Sequence, residues 1–220
     1  MGRNKNIIEQ IKEQKLLPLF YHPDPAICKG TVQALYDAGI RIVEFTNRGN
    51  EALDNFKLLL KERDKLWPDL LLSVGTIKNE KDAKAYIKAG TDFIICPGVV
   101  KEVAERTHAS KLIWIPGCMT TTEIMLAESC RAKLVKIFPG NLLGPDFIRS
   151  IKDLFPGMDF MPTGGVEINK TNIENWFDAG VCAVGMGSKL ISKTILEKKD
   201  YGKITTLTKQ ALDIIHSITN

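Results

Sequence analysis

The feature that most constrains the fold is a short apolar run that recurs eight times along the chain. Each run is followed by a polar turn and then by a segment with helical periodicity. The runs are Leu16–Tyr21, Arg41–Thr46, Leu70–Gly75, Asp92–Cys96, Lys111–Pro116, Leu134–Phe138, Asp159–Thr163 and Ala183–Gly187. Strands that alternate with helices in this way predict an α/β fold with a parallel sheet covered by helices.

Three predicted helices end in the same way, with Ala-Gly at Gly39, Gly90 and Gly180, where glycine can form a left-handed C-cap. Eight strand–helix units in 220 residues fit a (β/α)8 TIM barrel that forms a single domain over residues 1–220. Asn4–Gln14 is then an extra N-terminal helix across its bottom. An open doubly wound sheet is the alternative, but it usually has a glycine-rich first turn, and the sequence after the first run is His-Pro-Asp-Pro.

Charge and composition argue against several classes of partner. Thirty basic and 26 acidic residues give a net charge of +4 without a basic cluster, so we expect no nucleic-acid partner. No stretch reaches the roughly 18 apolar residues of a membrane span. The five cysteines form neither a C-x-x-C pair nor a spacing typical of metal ligands, so we expect no metal. Residues 1–6 are polar and do not resemble the start of a signal peptide. Together with the cysteine pattern, they predict a cytoplasmic protein.

Two charged residues interrupt the predicted strands. The two-residue period of a strand places Glu44 on the face opposite its apolar neighbours, and it does the same for Lys136. Because those neighbours suit the helix layer, we expect both charged side chains to point into the barrel. In a desolvated interior a lysine amine can attack a carbonyl carbon, and a carboxylate can transfer protons.

Other polar or flexible residues follow the predicted strands, where barrel enzymes have their active sites. Gly164 and Gly165 follow the seventh run, and Gly187 and Ser188 close the eighth. Bare backbone N–H groups at these two positions often bind phosphate. Arg48 follows the second run and carries a planar guanidinium that suits a carboxylate.

Six motifs, taken together and in order, resemble one enzyme family. They are Val43-Glu44-Phe45-Thr46-Asn47-Arg48, Val74-Gly75-Thr76, Cys96-Pro97-Gly98, Ile115-Pro116-Gly117, Val135-Lys136-Ile137-Phe138-Pro139 and Pro162-Thr163-Gly164-Gly165. The set is similar to the class I 2-keto-3-deoxy-6-phosphogluconate (KDPG) and 4-hydroxy-2-oxoglutarate (KHG) aldolases over essentially the whole chain. The resemblance implies a homotrimeric barrel that needs no metal or organic cofactor. Its small-molecule partner would be a 2-keto acid, cleaved reversibly to pyruvate and an aldehyde.

The resemblance also implies individual roles. Lys136 matches the lysine that forms the Schiff base, and Glu44 matches the carboxylate that transfers protons. The other matched residues are Arg48 and Thr76 at the pyruvyl carboxylate, Pro97 and Phe138 in the pocket wall, Thr163 beside the substrate, and Gly164, Gly165 and Ser188 at the phosphate. The aldehyde would be glyceraldehyde 3-phosphate from KDPG, with glyoxylate from KHG as a further product, and the galactonate epimer of KDPG stays open as an alternative substrate.

The chain departs from the family pattern at Tyr21-His22 and at Lys189. These departures concern the aldehyde half of the substrate more than the pyruvate half, and Lys189 could either bind phosphate or face solvent. Two other functions stay open. One is a sugar-phosphate epimerase or isomerase, which would use the glycine-rich ends without an inward lysine. The other is a barrel that binds a sugar acid without catalysis.

Overall fold

The computed structural model describes residues 7–219, in which short strands alternate with helices. The strands are β1 Leu16–Phe20, β2 Ile42–Thr46, β3 Leu71–Gly75, β4 Phe93–Ile95, β5 Ile113–Ile115, β6 Gly117–Cys118, β7 Leu134–Ile137, β8 Asp159–Pro162 and β9 Val184–Met186. The helices are α1 Ile7–Gln14, α2 Pro25–Asp37, α3 Ala52–Leu66, α4 Glu80–Ala89, α5 Lys101–Ala109, α6 Thr121–Ser129, α7 Gly140–Ile151, α8 Lys170–Ala179, α9 Lys193–Glu197 and α10 Tyr201–Thr219, with a 3-10 turn at Lys152–Leu154. Each of the eight apolar runs contains a strand, which confirms that part of the prediction.

The strands pair in parallel throughout the described residues. One sheet has the order β5-β4-β3-β2-β1-β9, and a second has the order β6-β7-β8. A single parallel bridge between Thr163 and Gly185 joins the end of β8 to β9. The fold is therefore α/β, with a curled parallel sheet whose strand carboxyl ends lie on one side.

The fifth strand continues further than the sequence predicts. The run Lys111–Pro116 was expected to end at the proline, yet the chain stays extended through Cys118 and pairs with β7 as β6. Pro116 has no N–H group and so interrupts the ladder, which divides one extended segment into β5 and β6. Its carbonyl oxygen still accepts a hydrogen bond of 2.8 Å from the Lys136 N–H.

Side-chain alternation along the strands separates two hydrophobic clusters. The larger cluster lies between the strands and the helices and includes Val43 and Val135. The smaller cluster lies on the inner face and includes Ile42 and Leu134, together with Ile8 and Ile11 of α1. Helix α1 thus covers the inner cluster, and the three residues 4–6 of the longer helix predicted from Asn4 lie outside the described part of the chain.

The helix ends position the strands that follow. The glycines predicted to terminate three helices, Gly39, Gly90 and Gly180, have φ values of 103°, 104° and 101°, which confirms their left-handed conformation. Each one turns the chain directly into the next strand. Among the helices of residues 7–219, none combines the length and the apolar character needed to cross a bilayer.

Candidate active site

Lys136 and Glu44 meet inside the curled sheet, although 92 residues separate them along the chain. The Lys136 Nζ lies 3.4 Å from the Glu44 Oε1, and the two side chains are only 7% and 1% exposed. Their strands, β7 and β2, belong to different sheets, so the contact spans the interior. The structure thus brings together the two residues for which inward orientation was predicted.

Glycines on neighbouring strands make room for these side chains. Gly75 pairs in register with Thr46, and a Cβ atom at Gly75 would overlap the Glu44 carboxylate. Gly117 is the register partner of Lys136, where a side chain would collide with the Pro97 carbonyl. Larger residues at these positions would displace the groups that line the interior, so both glycines support the geometry of the ion pair.

Two buried oxygen atoms at the site have no hydrogen-bond partner within residues 7–219. They are the Glu44 Oε2 and the Thr163 Oγ1. Gly185 lies against the Thr163 hydroxyl, and a Cβ there would overlap it. Buried polar atoms are almost always hydrogen-bonded in folded proteins. A polar ligand that enters beside Lys136 could supply both missing partners.

A cavity of about 640 Å³ opens at the carboxyl ends of the strands. Its wall contains six of the residues that the sequence singled out, namely Arg48, Phe138, Thr163, Gly164, Gly187 and Ser188. Lys136 lies directly beside this wall, because its Nζ is 5.4 Å from the centre of the Phe138 ring. The amine therefore lies behind the wall of a cavity whose volume falls in the range of small-molecule sites.

Arg48 is exposed in the cavity wall, and none of the described residues forms an ion pair or hydrogen bond with its guanidinium. The neighbouring residues hold its loop instead. Asn47 accepts a hydrogen bond of 3.0 Å from the Tyr86 hydroxyl and donates one of 3.3 Å to Asp82. Arg48 is thus a cation that remains free to bind an anionic group while its backbone is fixed.

Besides the buried Lys136 and Glu44, three predicted site residues do not line this cavity: Thr76, Pro97 and Gly165. Thr76 follows β3 with a φ of 63°, a conformation that is strained for a β-branched residue. Pro97 is half-buried, and its carbonyl lies behind Gly117. Gly165 has a φ of 75° and lies close to the Asn141 backbone, where a Cβ would not fit.

The cavity also contains residues that no sequence motif assigns to the site. Tyr21 and His22, which were noted only as departures from the family pattern, line it at the end of β1. Lys193 and Glu197 of α9 line it as well, and no motif pointed to them. The sequence does carry one signal, since these charged residues follow the last glycine-rich strand end. Lys189, in contrast, forms a 2.8 Å ion pair with Glu167 on the surface.

The buried cysteines are poor nucleophiles. Burial raises the pKa of the Cys96 thiol to about 12, and Cys96 accepts a 3.2 Å hydrogen bond from the Trp114 indole. Burial likewise raises the pKa values of Cys28, Cys118 and Cys182 to about 12. Within residues 7–219 there is no group of three His, Cys, Asp or Glu side chains arranged to hold a metal ion. Near neutral pH these four thiols are therefore protonated and weakly nucleophilic.

Comparison with known proteins places the chain in a family. Residues 7–207 match the family model described as "KDPG and KHG aldolase". The 2-dehydro-3-deoxy-phosphogluconate aldolase of Pseudoalteromonas atlantica is 32% identical over 215 residues, which cover 96% of this chain and 97% of the relative. The KHG/KDPG aldolase of Escherichia coli K12 is 30% identical over 183 residues, covering 82% and 83% of the two chains.

The fold of the chain agrees with the sequence match. The structure of the KDPG aldolase from Legionella pneumophila, described with pyruvate captured at low pH as a covalent carbinolamine intermediate, superposes with a TM-score of 0.84 at 25% identity. The match covers 91% of this chain and 95% of that one. Sequence and fold lead to the same conclusion: this chain belongs to the KDPG and KHG aldolase family.

Proposed function

We propose that this protein is a class I aldolase that cleaves KDPG reversibly to pyruvate and glyceraldehyde 3-phosphate. KHG, cleaved to pyruvate and glyoxylate, is a second substrate because it shares the pyruvyl half. The observation that carries the proposal is the buried contact between Lys136 and Glu44, next to a cavity that reaches solvent. A nucleophilic amine and a proton-transferring carboxylate are the two groups that Schiff-base chemistry requires.

The first half of the reaction forms the Schiff base. Lys136 passes a proton to Glu44, and the neutral Nζ attacks the C2 carbonyl carbon of the keto acid to give a carbinolamine. Glu44 then returns a proton to the departing hydroxyl group, so water leaves and a C=N bond forms. Arg48 holds the C1 carboxylate through its free guanidinium. The Thr76 hydroxyl supports the same carboxylate, and Pro97 and Phe138 shape the pocket around the pyruvyl group.

The second half breaks the carbon–carbon bond. Glu44, now a carboxylate again, removes the proton of the C4 hydroxyl, and the electrons of the C3–C4 bond move into the iminium to form an enamine. The aldehyde leaves, Glu44 protonates C3, and water hydrolyses the iminium to release pyruvate and the free Lys136 amine. Thr163 lies beside the reacting atoms, and its unpartnered hydroxyl can bind an oxygen of the intermediate.

The phosphate end of the substrate is assigned to the loops after β8 and β9. Gly164 and Gly165 have φ values of 87° and 75°, which only glycine adopts without strain. Gly187 and Ser188, which follow β9, line the same cavity and offer a hydroxyl and backbone N–H groups.

Three further properties belong to the same proposal. The proposed fold is an eight-stranded (β/α)8 barrel, which is supported by the continuity of β5 with β6 and by the Thr163–Gly185 bridge between the two sheets. The barrel is a single domain over residues 1–220 that works as a homotrimer, without metal or organic cofactor, in accordance with its family resemblance. Its five unpaired thiols suit the reducing conditions of the cytoplasm.

The two competing functions fit the site less well. The function of an epimerase, an isomerase or a sugar-acid sensor does not require a desolvated lysine amine beside a glutamate. Both would nevertheless use the glycine-rich loops, so phosphate binding alone does not separate them from the aldolase.

Borohydride reduction in the presence of pyruvate separates these functions. We expect a stable adduct on the peptide that contains Lys136, identified by mass mapping, and no adduct in Lys136→Ala. Lys133→Ala is the matched control, since that side chain is exposed and lies on the same peptide segment. A folded wild-type protein that forms no adduct, or near-native turnover of KDPG by Lys136→Ala, would refute the mechanism.

A further inference from the structure

We propose that His22 determines specificity for the aldehyde half of the substrate, by donating a hydrogen bond from its Nε2 to an oxygen atom of that half. The inference rests on the proposed function. It starts from the observation that the end of β1, where the sequence departs from the family pattern, forms part of the cavity wall.

The backbone at His22 is held rigidly. The buried amide of Asn55 donates hydrogen bonds of 3.1 Å to the His22 carbonyl and 2.8 Å to the Pro23 carbonyl. The Cys28 thiol donates a further one of 3.1 Å to the His22 carbonyl. Asp24, which follows directly, caps the N-terminus of α2. A side chain on this segment therefore has little freedom to move away from a ligand, which is the requirement for a specificity residue.

The imidazole ring is held as well. The backbone N–H of Asp24 donates a hydrogen bond of 3.0 Å to the His22 Nδ1. Nδ1 must therefore be the acceptor nitrogen, so the proton of the neutral ring lies on Nε2. No described residue hydrogen-bonds to Nε2. His22 thus presents one oriented donor on a half-buried ring in the wall of the cavity.

The position of β1 indicates which part of the substrate this donor meets. β1 lies between β2 and β9 in the sheet, and β9 is followed by Gly187 and Ser188, whereas Lys136 lies on β7. The pyruvyl carbons must stay beside Lys136, so the remaining carbons extend toward β9 and β1. An oxygen of the aldehyde-derived half, either a hydroxyl or the terminal phosphate, is the acceptor that a neutral N–H donor can recognise at this end.

The test compares two reactions of the same preparation: cleavage of KDPG, which uses the whole cavity, and borohydride trapping of pyruvate, which uses only the Lys136 end. In His22→Phe, which keeps a ring but removes the donor, we expect kcat/KM for KDPG to fall about 10- to 100-fold, chiefly through KM. The rate of pyruvate trapping should stay within about twofold of wild type. His22→Gln keeps a donor and should recover most of the loss.

The ratio of the two rates is independent of the fraction of protein that is folded, so a destabilised variant still gives an answer. Equal losses in both reactions, or no loss in either, would overturn the role of His22. A wild-type protein that traps no pyruvate would refute the aldolase assignment itself, and with it this inference. A wild-type protein that traps pyruvate without cleaving KDPG would refute the assignment of the aldehyde and therefore the inference too.

Discussion

Replacing Lys136 by methionine should strongly destabilise the protein, because it removes the charged partner of a Glu44 carboxyl group that lies buried in the interior. At the observed separation of 3.4 Å, Coulomb's law with an effective dielectric constant of about 20 gives an attraction of about 5 kcal/mol. Breaking a buried ion pair on one side typically costs about 3–5 kcal/mol. We therefore expect Lys136→Met to lower the free energy of unfolding by about 3–5 kcal/mol at neutral pH.

The measurement is urea denaturation followed by the fluorescence of the buried tryptophans Trp67, Trp114 and Trp176. The double variant Lys136→Met/Glu44→Gln should be more stable than Lys136→Met, since its buried amide carries no charge. Lys57→Met is the control, because Lys57 forms an exposed ion pair with Asp54 and should cost less than about 1 kcal/mol. A loss below about 1 kcal/mol for Lys136→Met, or a double variant that is no more stable, would refute the reasoning.

Three further predictions follow from the site. Gly75→Ala should reduce turnover at least about 100-fold, measured as kcat for KDPG, because its Cβ overlaps the Glu44 carboxylate. Arg48→Lys should raise the KM of the substrate about tenfold and change the free energy of unfolding by less than about 0.5 kcal/mol, since the guanidinium has no partner within the described chain. In native protein at pH 8, thiol titration should modify Cys130 first, while the four thiols with pKa values raised to about 12 react only after unfolding. These four are Cys28, Cys96, Cys118 and Cys182.

Much of the fold could be predicted from local patterns. Each apolar run became a strand because continuous aliphatic stretches suit a sheet that is buried on both faces. The glycines that end α4 and α8 could be identified because a left-handed C-cap is a local conformation. The end of the fifth strand was missed, since pairing with β7 extends that strand past Pro116, and such pairing is a long-range property.

The same distinction holds for the candidate site. The two-residue period of a strand was enough to predict that Glu44 and Lys136 face inward, since that period depends only on backbone geometry. Their roles remain predictions that the trapping and stability experiments test. The residues at the aldehyde end were harder to predict, because His22 follows β1 and Lys193 begins α9, so their place in the cavity depends on how a loop and a helix pack.

The sequence by itself therefore determined which segments are strands, which side chains point inward and which family the motifs resemble. Only the tertiary structure decided that Lys136 lies 3.4 Å from Glu44, that Gly75 leaves room for the carboxylate, and that Lys189 pairs with Glu167 instead of lining the cavity. The physical reason is one of range. Periodicity and capping act over a few residues, whereas a contact across 92 residues exists only after the sheet has curled and its strands have paired.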